Sequence, residues 1–289
     1  MITNKLNLPQ IFVDVLTPKE EKAKDFYRIS VTELLLPTRM ILLNKLYDID
    51  DDVSDLIPAL IGTAVHEYLE KNINDENAET EIKIEYKYND NFSIVGKLDY
   101  LNIKESLIRD YKVTTVAKFM KKEFDDYYKQ GLLYTLLVYL TRHIIIRNVE
   151  FDLLLKDFSK IKSINSVDYP KAPIEKLLFK INDSDIDSII SWVNNKLNDI
   201  ELNMIHHKLP PCSDTDKWFT GNKYAVFKNV SDKRAAIVCD SEEEAHEYIT
   251  NKCSGSGEIQ IRKGENIRCK YYCKFKEICN QKGEEKNVI

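Results

Sequence analysis

Two neighbouring segments decide the fold: GKLDYL at residues 96–101 and IRDYKVTT at residues 108–115. Both are rich in β-forming residues and a short polar turn separates them, which predicts a pair of adjacent strands. Alternation along the second strand places Asp110 and Lys112 on one face. Asp99 lies on the first strand, and we expect it to face them across the pair.

This trio has the composition of a metal-dependent hydrolytic centre. Two carboxylates that converge on one point repel each other unless a cation lies between them, and oxygen ligands of this kind suit Mg²⁺ or Mn²⁺. Such an ion polarises a phosphate and lowers the pKa of a bound water, and a nearby ammonium stabilises the developing charge. The alternative is an ordinary exposed strand pair, because the D-x-K pattern is common.

The elements on either side carry further polar residues. A helix predicted at 55–74 holds His66, although a lone helical histidine is more often a surface or core residue than a ligand. A long helix predicted at 118–142 places Gln130 and Tyr134 four residues apart on one face. Taken alone, that pair is typical of a helix surface beside a core stripe.

The order G-T-x-x-H, G-x-x-D, D-x-K and Q-x-x-x-Y resembles the RecB-type nucleases of the PD-(D/E)XK superfamily, over roughly residues 30–140. The resemblance implies an α/β (α+β) fold with a restriction-endonuclease-like core, in which helices flank a central mixed β-sheet. It implies phosphodiester hydrolysis of DNA as the activity.

The resemblance also implies roles for individual residues. The metal ligands would be His66, Asp99, Asp110 and the carbonyl of Tyr111. Lys112 would position and activate the water, and Gln130 with Tyr134 would orient the lysine or contact the DNA strand. The family often has Glu where this chain has Asp110. Glu85, on a strand predicted at 79–88, is a possible further ligand, but an exposed strand glutamate is the favoured interpretation.

A cysteine cluster stands near the C-terminus. Cys269, Cys273 and Cys279 follow the spacing C-x3-C-x5-C, and Cys212 follows a Pro-Pro turn upstream. Four thiolates would hold either a [4Fe–4S] cluster or a structural zinc ion. Cys253 competes for the fourth position, and Cys239 is interpreted as a buried strand thiol.

Some RecB-type nucleases resemble this chain in having an iron–sulfur cluster on C-terminal cysteines, which favours [4Fe–4S] over zinc here. In those relatives the distant cysteine precedes the nuclease core, whereas this chain has no cysteine before residue 212. The arrangement with Cys212 is similar to that of phage-type exonucleases of the superfamily. The cluster would tie a small C-terminal subdomain to the core.

The pattern of elements predicts two domains. Residues 1–209 would form the nuclease core with an N-terminal helical part, and residues 210–289 a small ββαβ subdomain with the cysteine cluster. Basic residues beside the cluster, Arg268 and Lys270 among them, would contact phosphates. Tyr271 and Tyr272 would either stack on bases or pack beneath the cluster.

The overall charge is mildly unfavourable for a DNA-binding protein. The chain has 42 basic against 47 acidic side chains, a formal net charge of -5, and nucleic-acid binders are usually basic. Local charge decides steering, however. Five aspartates fall between Asp48 and Asp55, interpreted as a solvated linker, whereas residues 260–276 carry six basic side chains and one acid.

The sequence also indicates a compartment. The N-terminal residues show no charged segment followed by an apolar one, so no signal peptide is expected, and no apolar run approaches the ~18 residues that span a bilayer. We therefore expect the cytoplasm, where thiols stay reduced and cysteines serve as metal ligands or core residues.

Three functions remain open at this level. The favoured one is an exonuclease acting on DNA ends or single strands in phage or bacterial recombination and repair, with a single-strand annealing protein as a possible partner. The second is an endonuclease of a CRISPR-associated or restriction-like type. The third is a non-catalytic DNA-binding module, against which the set His66, Asp99, Asp110 and Lys112 argues.

Overall fold

The computed structural model of the protein describes residues 2–17, 25–229, 231–253 and 255–281. The chain divides into two units, Met1–Leu209 and Pro210–Ile289. Within the described residues, no helix is long and apolar enough to cross a membrane.

The strands of the larger unit pair into a small sheet and a large one. They are β1 (Ile2–Thr3), β2 (Arg28–Ser30), β3 (Asp51–Asp52), β4 (Ala78–Lys87), β5 (Ser93–Asn102), β6 (Leu107–Thr114), β7 (Asn148–Leu155) and β8 (Ile174–Lys180). β1 and β3 form a short parallel pair, and the remaining strands form the large sheet.

The helices of this unit precede, connect and follow these strands. They are α1 (Gln10–Leu16), α2 (Val31–Leu34), α3 (Thr38–Leu46), α4 (Val53–Asn72), α5 (Val116–Lys121), α6 (Asp125–Arg142), α7 (Lys160–Asn165) and α8 (Asp183–Ile205).

The large sheet has the order β2-β5-β6-β7-β8, with β4 also pairing β5. β2 with β5 and β6 with β7 are parallel, whereas β4 with β5, β5 with β6 and β7 with β8 are antiparallel. Helices flank this mixed sheet, which confirms the predicted fold class. The parallel step from β6 to β7 requires a crossover connection, which α5 and α6 supply.

One edge of β5 is shared by two partners. β4 pairs along the other edge from residue 93 to residue 102. β2 must therefore occupy the shared edge at 93–95, and β6 the same edge at 100–102. Residues 96–99 lie between these partners, and no strand of the described residues pairs with them on that edge. The large sheet thus contains an internal gap, and Asp99 is the residue next to the β6 pairing.

Helix α6 packs closely on the sheet beside this gap because glycines allow it. A Cβ atom at Gly131 of α6 would lie 2.7 Å from Cγ1 of Val149 on β7. A Cβ atom at Gly96 of β5 would lie 2.8 Å from Cδ1 of Leu137 and 3.2 Å from Cε1 of Tyr134. Ten residues of α6 are buried, including Gln130 and Tyr134. The helix is therefore a core element that carries polar groups inward.

The structure corrects several expected boundaries. The helix expected at 118–142 is two helices, since Lys122 adopts φ 56° and ends α5. The acidic stretch 48–55 is not simply a solvated linker. Asp52 is buried and accepts hydrogen bonds from Thr3 Oγ1, the Lys5 N–H and Ser54, which caps α4 and holds the pKa of Asp52 well below its ordinary value.

The smaller unit has its own sheet and core. Its elements are α9 (Asp214–Lys217), β9 (Lys223–Phe227), β10 (Ile237–Cys239), α10 (Glu242–Lys252), β11 (Glu258–Arg262) and a π-helix (Arg268–Tyr272). β9 lies between β10 and β11, antiparallel to both. Val226, Cys239, Ala245 and Ile249 form its buried core.

Candidate active site

The gap in the sheet brings the predicted residues together. Asp99 stands at its end on β5, and Asp110 and Lys112 lie on β6 just beyond the last β5–β6 pair, Tyr100 with Arg109. Because the ladder ends there, the backbone N–H of Tyr111 lacks a strand partner on that side. It donates instead to Asp99 Oδ2 at 2.8 Å. A side chain thus replaces a missing sheet hydrogen bond and fixes the position of Asp99.

Asp99 is also tied to helix α4. Its Oδ1 lies 3.1 Å from Nδ1 of His66, and this contact raises the pKa of the imidazole above its ordinary value. The His66 ring meets the Tyr111 ring edge-on, with centroids 6.1 Å apart. The predicted association of His66 with Asp99 is therefore present in the structure, with the imidazole half-buried.

Glu81 is a residue that the sequence did not reveal. It lies on β4 opposite Asp99, and among the described residues His66, Glu81 and Asp99 form a group whose ligand atoms lie within 4.8 Å of one another. Glu81 has φ 53°, a left-handed conformation that is rare for a strand residue. The carboxylate contacts Lys97 of β5. Glu85 instead makes an exposed ion pair with Arg28, which agrees with its favoured interpretation.

Glu81 could have been located from the pairing of β4 with β5, in which the two residue numbers of every pair add to the same sum. That register places Glu81 opposite Asp99. Glu79, Glu81 and Glu85 alternate along the same segment, so composition alone does not distinguish them. Only the register, together with the position of Asp99, identifies Glu81.

The buried Asp110 and the partly exposed Lys112 form an ion pair beside this group. Lys112 Nζ lies 2.6 Å from Asp110 Oδ2 and is the partner of that oxygen. Asp110 is 2% exposed. Burial raises the pKa of its carboxyl to about 6, which Lys112 opposes and the charge of Asp99 reinforces. A buried carboxylate is a group that a cation would stabilise.

Helix α6 supplies the remaining predicted pair. Gln130 donates from Nε2 to Asp110 Oδ1 at 3.3 Å and to the hydroxyl of Tyr134 at 3.0 Å. Burial raises the pKa of Tyr134 well above its ordinary value, so the phenol stays protonated. Its ring lies over Gly96, which gives the glycine of the G-x-x-D pattern a packing reason. Gln130 thus contacts Asp110 rather than Lys112, and Tyr134 contacts Gln130.

An open pocket of about 500 Å³ adjoins Gly96 and Tyr134. Its wall contains three cationic side chains, Arg28, Lys83 and Lys97, and the hydroxyls of Ser30 and Thr32. Arg28 is bonded to Glu85, and Lys97 contacts Glu81. The pocket therefore combines hydrogen-bond donors with partly compensated positive charge, which suits an anionic group.

The four predicted cluster cysteines all lie in the smaller unit, and none of its cysteines is in a disulfide. Cys269 lies in the π-helix and Cys273 follows it, with its N–H donating to the carbonyl of Arg268 at 2.7 Å. The Gln281 side chain accepts from the Cys212 N–H at 3.0 Å and donates to the Cys212 carbonyl at 3.1 Å. These two hydrogen bonds to Gln281 hold Cys212 against the segment that contains Cys279.

The two competing cysteines have a different environment. Cys239 is buried in the small core with Val226 and Ala245, and Cys253 ends α10 and packs against the same core. Cys239 thus lies where the sequence placed it, as a buried strand thiol. Packing accounts for both residues, and Cys212 remains the better candidate for the fourth position.

Comparisons with known proteins give structural neighbours alone. No protein-family model matches the sequence, and no curated protein matches it. Among solved structures, a putative exonuclease from Eubacterium rectale is 13% identical with a TM-score of 0.41, over 66% of this chain and 90% of that one.

Two further neighbours are also exonucleases. A phage-related exonuclease from Haemophilus somnus 129PT is 12% identical with a TM-score of 0.38, over 62% of this chain and 83% of that one. The alkaline exonuclease LHK-Exo of Laribacter hongkongensis, in complex with dAMP, is 11% identical with a TM-score of 0.40, over 63% and 91%. At this level of similarity the neighbours do not identify the chemistry of this chain.

Proposed function

We propose that the protein is a divalent-metal-dependent deoxyribonuclease that hydrolyses phosphodiester bonds at DNA ends. The observation that carries this proposal is the convergence of Asp99, Asp110 and Lys112 at the gap between β5 and β6. His66 and Glu81 complete the metal-binding side of the proposed site. An ammonium beside clustered carboxylates is a combination that suits metal-dependent phosphodiester hydrolysis.

The donor set fits Mg²⁺ or Mn²⁺. His66, Asp99 and Asp110 would hold the ion, with Glu81 as a further carboxylate from β4. The carbonyl of Tyr111 is also suited, because N–H and C=O of one strand residue point to the same edge and that edge faces the gap. The bound ion would polarise the phosphate and lower the pKa of a water molecule.

The protein groups around the ion have separate tasks. Lys112 is partly exposed, and Asp110 holds its ammonium at 2.6 Å, so it can donate a hydrogen bond to a phosphate oxygen as negative charge develops. Gln130 fixes Asp110 Oδ1, which leaves Oδ2 for Lys112 and the ion. The Tyr134 hydroxyl accepts a hydrogen bond from Gln130 and so holds that side chain in place. Tyr134 is therefore proposed as a positioning residue, and it also lines the pocket that would take DNA.

The pocket beside the site supports action at ends. Its cationic and hydroxyl lining, from Arg28, Ser30 and Lys83 among others, suits the phosphate of a terminal nucleotide. An enzyme that holds a terminal phosphate next to the scissile bond selects ends over continuous strands. Recombination or repair of phage or bacterial DNA is the biological task that we propose for such an enzyme.

The cysteine cluster is proposed as a structural [4Fe–4S] site formed by Cys212, Cys269, Cys273 and Cys279, with zinc as the alternative ion. The support is the Gln281 contact that joins Cys212 to the last part of the cluster, and the core packing of Cys239 and Cys253. Such a site would hold the end of the smaller unit in place.

A cleavage assay tests the activity. Linear DNA labelled at the 5′ or 3′ end and covalently closed circles are incubated with Mg²⁺, Mn²⁺ or EDTA. We expect metal-dependent loss of linear DNA, with mononucleotides or short products, and intact circles. Cutting of closed circles would make the enzyme an endonuclease. If neither Mg²⁺ nor Mn²⁺ supports cleavage of DNA labelled at either end, the proposed enzymatic activity is contradicted.

A further inference from the structure

The smaller unit exposes an unusual group of aromatic side chains. Trp218, Tyr271 and Tyr272 are 45%, 58% and 68% exposed. The rings of Trp218 and Tyr272 meet at a centroid distance of 5.3 Å and an interplanar angle of 60°. Large aromatic side chains contribute most of their stabilisation when buried, so adjacent exposed rings indicate a binding surface. These three residues are here named the aromatic surface.

Cationic side chains accompany each part of this surface. The Arg268 guanidinium carbon lies 4.4 Å from the centre of the Trp218 ring, and Lys270 Nζ lies 5.1 Å from that of Tyr271. Arg268 also donates to the Asp216 carbonyl at 2.9 Å, which fixes its guanidinium at the indole. Lys270 Nζ is also paired with Glu265 Oε1 at 2.8 Å. The surface therefore offers flat apolar faces with the charge of Arg268 and this ion pair beside them, which suits an anion that carries aromatic groups.

The backbone holds Trp218 in a costly conformation. Its φ is 53°, in the left-handed region that a bulky side chain rarely adopts. The Trp218 N–H donates to the Thr215 carbonyl at 3.1 Å, and its own carbonyl accepts from the Ile267 N–H at 3.4 Å. Trp218 is the residue that ends α9, and a left-handed residue commonly ends a helix in this way. The end of the helix therefore holds the exposed indole at a defined position.

The tyrosines are fixed by a second irregular element. Tyr271 and Tyr272 end the π-helix Arg268–Tyr272, and they lie between Cys269 and Cys273 in the chain. π-helical turns are rare and occur frequently at functional sites. Residues 269–273 thus carry two cysteines of the proposed cluster and two exposed rings.

We propose that the aromatic surface binds single-stranded DNA, with bases stacked on Trp218 and Tyr272 and phosphates near Arg268 and Lys270. The inference rests on the proposed nuclease function and adds the form of DNA that the smaller unit takes. Single-stranded bases have free faces for stacking, whereas those of a duplex are covered by their neighbours. Stacking does not read base edges, so binding should show little sequence preference.

The test is a binding measurement that does not need cleavage. The Lys112→Ala variant, without added divalent metal, is titrated into a fluorescein-labelled dT oligonucleotide and the anisotropy is followed. Quenching of intrinsic fluorescence provides a second readout, because Trp218 is one of two tryptophans in the chain. We expect Tyr272→Ala to weaken binding roughly tenfold and Tyr272→Phe to restore it, since the ring does the stacking.

The control is Tyr68→Ala, which removes an equally exposed tyrosine from α4 of the larger unit (72% exposed). We expect its affinity to match that of the parent, and circular dichroism of each variant checks that it is folded. Unchanged affinity in folded Tyr272→Ala, or equal affinity for duplex and single-stranded DNA, would overturn the inference.

The outcomes for the surface and for the enzyme are separable. If the wild-type protein cleaves DNA and Tyr272→Ala binds it with unaltered affinity, the nuclease function is supported and DNA binding by the aromatic surface is contradicted. If binding depends on Tyr272 but the protein cleaves no DNA, DNA binding by the aromatic surface is supported and the nuclease function is contradicted.

Discussion

At the scale of single residues, Lys112 has an environment that separates catalysis from binding. Its ammonium is paired with Asp110 at 2.6 Å, and the aromatic rings of Tyr127 and Phe151 have their centres 5.9 and 5.8 Å away. In the proposed site it would contribute charge without being a metal ligand, so its loss should affect the transition state more than the bound ground state.

We therefore expect Lys112→Ala to lower kcat by roughly 100- to 1000-fold, the usual effect of removing one stabilising donor. Mn²⁺ affinity and DNA affinity should change little. Steady-state cleavage, Mn²⁺ titration and anisotropy measure the three quantities, with Lys176→Ala as a control from the exposed part of β8. Full activity in the Lys112 variant would refute the assigned site.

Protonation provides a second prediction at this scale. Burial raises the pKa of Asp110 to about 6, and Asp99 raises that of His66 above its ordinary value. The positive charge of Lys112 acts in the opposite direction and lowers the pKa of both groups. Each group must lose its proton to bind a metal ion, so metal affinity should rise as the pH increases from about 5 to 8.

Calorimetric Mn²⁺ titration across this range tests the dependence. Asp110→Asn should weaken the affinity at pH 8 and flatten its change with pH, because a group that must deprotonate has been removed. An affinity for the wild-type protein that stays constant from pH 5 to 8 would contradict the assignment of these ligands.

Residue types and spacing predicted most of the residues of the candidate site. They did not identify Glu81, because its importance comes from the register of β4 against β5 and from its left-handed backbone. They also did not reveal that Asp99 accepts the Tyr111 N–H, which depends on where the ladder ends. Contacts of this kind arise from pairing between distant residues, which local patterns do not encode.

At the scale of elements, the site depends on how closely α6 lies on the sheet. Gly96 lets the ring of Tyr134 approach β5, and Tyr134 in turn supports Gln130. We expect Gly96→Ala to destabilise the protein by about 1–3 kcal/mol, as overpacking of a core does. Cleavage should fall as well, because displacement of Tyr134 moves Gln130 away from Asp110.

Gly62 in α4 is the matched control. A Cβ atom there would meet nothing within 4 Å, so Gly62→Ala should stabilise the helix by about 0.5–1 kcal/mol. Urea unfolding measures both variants. If Gly96→Ala were as stable as the wild-type protein, the close approach of α6 would not be the reason for that glycine.

Elements with strong periodicity were predicted well, and those set by single backbone conformations were not. The three strands around Asp99 and the C-terminal pattern of two strands, a helix and a strand agree with the sequence. The break at Lys122 was missed because a left-handed residue other than glycine leaves no local signal. β8 was not predicted, although its residues, IEKLLFK, alternate as those of a strand do.

At the scale of the whole molecule, the cysteine cluster is the feature that a spectroscopic measurement settles. Anaerobically purified protein should be brown and absorb near ~400 nm, as thiolate-ligated iron–sulfur clusters do. Cys279→Ala should lose this absorbance. Cys253→Ser should keep it, because Cys253 packs against the small core instead. A colourless protein with stoichiometric zinc would show that the four cysteines hold zinc instead of an iron–sulfur cluster. A protein without any metal would contradict the proposed metal site.

The gap beside residues 96–99 also has a mechanical consequence for the large sheet. β2, β4 and β5 form one leaf, and β6, β7 and β8 form the other. The leaves are joined by a seam of three residue pairs, from Tyr100 with Arg109 to Asn102 with Leu107. Asp99 and Asp110 stand on opposite sides of this seam. A cation bound between them would therefore cross-link the two leaves where the backbone ladder is missing, and its binding free energy would add to the stability of the sheet.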